Sequence, residues 1–137
     1  MASKAHGQSE MALMDAFGEM WARNANNIKD VRRISEGRQG IYILYDGSTP
    51  VYVGKGFIRS RLRASDKSRR RKDSWDHFSW YLLKNKDLVH DVEVLLLRIL
   101  PPYLRSMNRQ AGKFTGAPSL TDQKPKNSRP IYIERTR

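Results

Sequence analysis

The sequence predicts an α+β domain: a small three-stranded antiparallel sheet flanked by helices. Three observations carry this. Two short β-like runs, Gly40–Asp46 (GIYILYD) and Pro50–Gly54 (PVYVG), bracket the turn-rich Gly47-Ser48-Thr49. A third alternating run, His77-Phe78-Ser79-Trp80-Tyr81-Leu82, completes the sheet. Between and after them the apolar period switches to helical, in residues 57–66 and again from Leu88 to Ile99.

Taken in order, residues 1–9 form a polar leader. From Glu10 to Ile28, Met14, Phe17, Met20, Trp21 and Ile28 recur at helical spacing, which predicts an N-terminal helix packed on the body of the domain. In the hairpin that follows, alternation sets Tyr42 and Leu44 on one face and Ile41, Ile43 and Tyr45 on the other. Opposed residues of an antiparallel pair keep a constant index sum, so Tyr42 and Tyr52 share a face only if the loop has odd length. A three-residue loop pairs Asp46 with Pro50, Leu44 with Tyr52 and Tyr42 with Gly54, whereas a two-residue loop separates the tyrosines.

In the helix over 57–66, Phe57, Ile58, Leu62 and Ser65 face the core, while Arg59, Arg63 and Lys67 face outward. The basic run Lys67-Ser68-Arg69-Arg70-Arg71-Lys72 follows, suited to phosphate contact. Asp87 is a candidate cap for a helix from Leu88 whose buried stripe is Val89, Val92, Leu95, Leu96 and Ile99, ended by Pro101-Pro102. From Gly112 the chain reads as an irregular tail, with Ile131-Tyr132-Ile133 a candidate edge strand.

Composition narrows the partner. Lys and Arg total 26 against 14 Asp and Glu, a formal +12, which implies a polyanion, because neutralising phosphates releases condensed counterions. Nucleic acid fits better than an anionic membrane, since no long helix joins a strong apolar face to a cationic one. With no cysteine there can be no disulfide, zinc-thiolate site or cysteine nucleophile. The polar start MASKAHGQSE and the absence of a long apolar run predict a soluble, cytoplasmic protein.

Phosphodiester hydrolysis needs an activated water, cationic stabilisation of the added negative charge and a carboxylate to hold a metal. Glu93 is the candidate carboxylate, set within the apolar Val92–Leu97 segment; the alternative is a surface residue paired with Arg98 or Lys86. One carboxylate suits Mg²⁺, or Mn²⁺ in its place, with waters and phosphate oxygens completing the shell. Arg61 offers a guanidinium fork on a helix pinned to the core, but Arg59 and Arg63 are near neighbours and the residues alone do not choose among the three.

The order of these features resembles the GIY-YIG endonucleases. Gly40-Ile41-Tyr42, then Tyr52-Val53-Gly54 with Lys55 directly after, is similar to that family's first two motifs. Arg61-Leu62 matches its arginine-hydrophobic pair, one residue short in spacing; Glu93 matches its metal-binding glutamate and Asn108 its later asparagine. The resemblance covers roughly residues 38–110. It implies a nuclease domain there, with 1–37 as leader and packing helix and 111–137 as a basic tail. It also implies that Tyr42 acts as base or orients the attacking water, that Tyr52 bonds phosphate or water, that Arg61 stabilises the transition state, that Glu93 holds the metal and that Asn108 braces the site. A phenol with the ordinary pKa of about 10 is a poor base at neutral pH, so Tyr42 needs a cation nearby, and Lys55 is placed to be it or to contact phosphate.

Many members carry a histidine or tyrosine where this chain has Ser65, and His77 is the candidate substitute. DNA is the expected substrate, with RNA as an alternative, and Lys55, Arg59, Arg63, Lys67, Arg69, Arg70, Arg71 and Lys72 are the expected nucleic-acid contacts. Cutting both strands with one site per chain would call for a homodimer. Two other readings compete: a non-catalytic nucleic-acid-binding module on the same fold, and an assembly protein pairing through its Met- and Trp-rich N-terminal segment.

Overall fold

The computed structural model describes residues 12–68, 73–100 and 112–116, with 120 and 123. Arg69, Arg70, Arg71, Lys72, Asn108 and the 131–133 strand lie outside the described residues. The sheet has four strands rather than three, β1 (Met14–Ala22), β2 (Gln39–Asp46), β3 (Thr49–Phe57) and β4 (His77–Leu83), ordered β1-β4-β2-β3 with every neighbouring pair antiparallel. Helices α1 (Ala25–Ser35) and α2 (Ile58–Lys67) and, after a short 3-10 turn at Lys86–Leu88, α3 (Val89–Ile99) complete it.

The predicted N-terminal helix is thus a correction: residues 14–22 are an edge strand, and the helix begins at Ala25. Register shifts between Met14 and Ala16 and between Gly18 and Trp21 break the two-residue alternation, leaving apolar spacings that imitate a helix. Phe17 and Met20 face out, and Phe17 stacks on Tyr81 at 6.0 Å. Met20 takes φ 55 at the bulge, held by its N–H donating to Ser79 Oγ at 3.0 Å. Gly18 was the signal against a helix. The strand there crosses Trp80 so closely that a Cβ would sit 2.4 Å from its Nε1.

The real helix start is marked by Asn24, whose Oδ1 accepts from Asn27 N at 2.8 Å. α1 and α2 cover one face of the sheet, where Ile28, Val31, Ile58 and Leu62 pack on Tyr42, Leu44, Phe78 and Trp80. α3 covers the other face, with Val89 and Leu97 against Ile41, Val53 and Leu83. Its buried side is turned from the predicted stripe, so that Val94 is buried while Leu95 and Ile99 are exposed. The turn before it is capped by Asn85 rather than Asp87, through Asp87 N donating to Asn85 Oδ1. The Arg23 guanidinium lies 4.1 Å over the Trp75 ring and its Nε donates to Asp66 Oδ1, tying the end of β1 to α2. No helix among the described residues is long and apolar enough to cross a membrane.

The hairpin reaches the expected register by another route. Asp46 pairs with Thr49 and Tyr45 with Pro50, so the loop is the two-residue Gly47-Ser48, with Gly47 at φ 63. A bulge then inserts Val51, after which Leu44 pairs with Tyr52 and Tyr42 with Gly54. The extra residue restores the parity that the short loop removes, and both tyrosines fall on the α1–α2 face.

Candidate active site

A pocket of about 220 Å³ opens beside β3, the outer edge of the sheet, and is lined by Tyr42, Tyr52, Lys55, Arg61, Ala64, Ser65 and Glu93. Four elements supply it. β2 and β3 bring Tyr42 and Tyr52 to the α1–α2 face, with ring centroids 5.8 Å apart. Lys55, opposite Ile41, lies on the α3 face, where Glu93 meets it with Nζ 3.3 Å from Oε1. Among the described residues β3 is the outermost strand, and at its edge groups from both faces of the sheet can converge.

Two glycines make that convergence sterically possible. A Cβ on Gly54 would lie 2.5 Å from the Tyr42 hydroxyl, so the phenol reaches the edge across a residue without a side chain. Gly56 has φ +130, a conformation that L residues avoid, and a Cβ there would lie 2.9 Å from Arg61 Nε. The sequence Gly54-Lys55-Gly56 therefore holds two openings with a cation between them. Sequence reasoning passed over this, although glycines flanking a lysine at a strand end were the visible signal.

Helix geometry separates the three arginines that sequence could not. With Ile58, Leu62 and Ser65 buried, Arg61 is turned to the pocket, while Arg59 and Arg63 face α1. Desolvation, followed by the charges of Arg32 and Arg63, lowers the Arg59 pKa. Lys67 is exposed at the end of α2. Phe57, expected in the core, is half-exposed instead.

Glu93 pairs with neither Arg98 nor Lys86. Arg98 donates to Gly112 O and lies 5.0 Å from the Phe114 ring, leaving Glu93 turned to Lys55 and the tyrosines. Its side chain is 15% exposed, which keeps the carboxylate reachable from the pocket. Ser65 lines the pocket, but its hydroxyl is buried without a hydrogen-bond partner among the described residues.

His77 does not join the site. It pairs with Tyr45 and shares that residue's face, opposite to the tyrosine face, about 13 Å along the sheet from the Ile41 level where Lys55 sits. Its Nδ1 donates to Asp76 Oδ1 at 2.9 Å, and this bond, with the Gly47 N–H, holds the Asp76 carboxyl below its usual range.

Among solved structures, the chain is similar to the GIY-YIG N-terminal endonuclease domain of UvrC from Thermotoga maritima. Two tyrosine-to-phenylalanine point mutants of that domain, each bound to its catalytic divalent cation, align at TM-score 0.50 and 19% and 18% identity, over 64% of this chain and 100% of theirs. The fold is that of a GIY-YIG endonuclease domain. The same domain bound to magnesium aligns at TM-score 0.49 and 20% identity over 63% of this chain. No protein-family model and no curated protein matches the sequence. At this identity the likeness is one of fold.

The donor set suits a single hard cation. Among the described residues no three or more His, Cys, Asp or Glu side chains gather as an all-protein cage. Among the described residues Glu93 is the one carboxylate lining the pocket, beside two phenols, Lys55, Arg61, Ala64 and Ser65. Mg²⁺ is held in this way, by one or two carboxylates with waters and substrate phosphate completing its octahedron.

Proposed function

We propose that the chain is a divalent-metal-dependent endonuclease that hydrolyses DNA phosphodiester bonds. The observation that carries this is the convergence of Tyr42, Tyr52, Lys55, Arg61 and Glu93, from four elements, in one pocket at the edge of β3. The formal charge of +12 supports a polyanionic substrate, and the fold is that of domains crystallised with a catalytic divalent cation.

In this reading Glu93 holds Mg²⁺ or Mn²⁺, which when bound supplies positive charge against the phosphoryl oxygens. Arg61 presents its fork to the same phosphate and stabilises the charge that builds during attack. The Tyr42 oxygen, carried to the edge across Gly54, orients the attacking water or, as the phenolate, takes its proton, and the leaving oxygen takes a proton from solvent. Tyr52 holds the phosphate or the water from one strand away. Lys55 neutralises Glu93 in the free protein and is placed to contact phosphate when substrate enters. Asn108 keeps its proposed bracing role, and Arg59, Arg63 and Lys67 extend the phosphate-binding surface along α2. A double-strand cut would require a second copy of the chain.

Plasmid nicking tests this. Supercoiled DNA should relax with Mg²⁺ and not with EDTA, and Glu93→Ala should lower the rate at least about 100-fold, the scale seen when one charge-stabilising group is removed from an active site. A structured RNA in parallel reads substrate preference. The competing reading, a binding module without catalysis, has two observations in its favour: Tyr42 is only 2% exposed, and Glu93 is ion-paired. It predicts tight DNA binding with no metal-dependent nicking.

A further inference from the structure

Phe57 ends β3, paired with Gln39, and occupies the N-cap position of α2, yet its side chain caps nothing. Its side chain makes no cap hydrogen bond, which Ser, Thr, Asp or Asn would provide at that position, and it is 49% exposed. It lies between two cavities of about 370 and 290 Å³, both of which it lines. Arg38, Lys84 and Lys86 line the first; Arg32, Arg38 and Arg59 line the second, with Glu36 its one carboxylate among the described residues. Arg38 is partly neutralised by Asp15, but the surroundings of the ring remain strongly cationic. Across Gly56, the next residue back, lies Arg61 of the catalytic pocket.

An aromatic face among cations matches one ligand chemistry closely. Single-stranded nucleic acid is held by bases stacking on aromatic side chains while a basic groove follows the phosphates. A duplex hides its base faces and has no use for an exposed ring outside the grooves. We infer that Phe57 and its surrounding cations bind an unpaired nucleotide of single-stranded DNA beside the cut. The placement of the cut rests on the nuclease reading; the binding site does not. The substrate then carries a single-stranded segment, a flap or a branch, running from the Phe57 platform past Gly56 to Arg61.

Binding measured in EDTA separates the two claims. Fluorescence anisotropy would compare wild type, Phe57→Ala and Phe57→Trp on labelled oligothymidylate and on a blunt duplex of equal length. Phe57→Ala should weaken oligothymidylate binding about 5- to 150-fold, the range for one stacked base, and leave duplex binding unchanged. Phe57→Trp should restore affinity and show quenching beyond that of wild type, whose Trp75 and Trp80 are buried and whose Trp21 is half-buried. Equal losses on both DNAs, an unchanged oligothymidylate affinity, or the same loss on polyglutamate, which has charge but no bases, would each overturn the platform. A split between single strand and duplex in a protein that cleaves nothing supports the platform while the nuclease reading fails.

Discussion

At the scale of single residues, the site depends on two absences of a side chain. Gly54→Ala puts a methyl group where the Tyr42 hydroxyl lies, and the ring has the packed core behind it. The variant should lose about 1–3 kcal/mol of stability, as overpacked sites do, and should lose cleavage while retaining DNA affinity. Denaturant unfolding and single-turnover nicking on the same preparation would show both effects. Tyr81 gives a pH-dependent check of the α3 face. Burial, then its hydrogen bond to Glu19 at 2.8 Å, pushes its pKa up to about 12. The folded phenol keeps its proton where the unfolded one, near 10, has lost it, so stability should fall as pH rises from about 10 to 12. Thermal melts across that window should show a steeper loss for wild type than for Tyr81→Phe.

At the scale of elements, what was legible in the sequence follows how regular each element is. α2 and β4 were readable because their apolar residues keep the element's period, and Ile58 and Leu62 are buried on the expected face of α2. β1 was not, because two register shifts scatter its apolar residues into a helical spacing. The hairpin lies between these cases: its register at the tyrosines was readable, while the bulge that produces it left no separate mark in the sequence. His77 was misplaced for a related reason. Sequence spacing fixed its strand but not which face the sheet would turn toward the tyrosines. The edge-strand account makes its own prediction. Gly18→Ala should cost about 1–3 kcal/mol by forcing β1 off Trp80, seen as a lower denaturant midpoint and an altered near-UV signal from the Trp21–Trp80 pair.

At the scale of the whole molecule, the described sheet separates two groups of candidate site residues that meet at the edge of β3. The tyrosines and Arg61 belong to one layer, Lys55 and Glu93 to the other, and β3 is thin enough there, with two glycines, for them to share a pocket. The cationic surface extends from this edge over α2 toward α1. DNA affinity should therefore fall steeply with salt, and Arg63→Gln, on the exposed side of α2, should reduce the slope of log affinity against log salt by about one phosphate contact.

The central claim is that Tyr42 and Glu93, from opposite layers, act as one catalytic unit. Single-turnover cleavage with Mg²⁺ by wild type, Tyr42→Phe, Glu93→Ala and the double variant tests it most directly. The account predicts that each single change costs at least about 100-fold and that the double variant is no slower than the worse single, because groups acting as a unit are not additive. Near-wild-type rates for either single variant, or losses that multiply in the double, would contradict it.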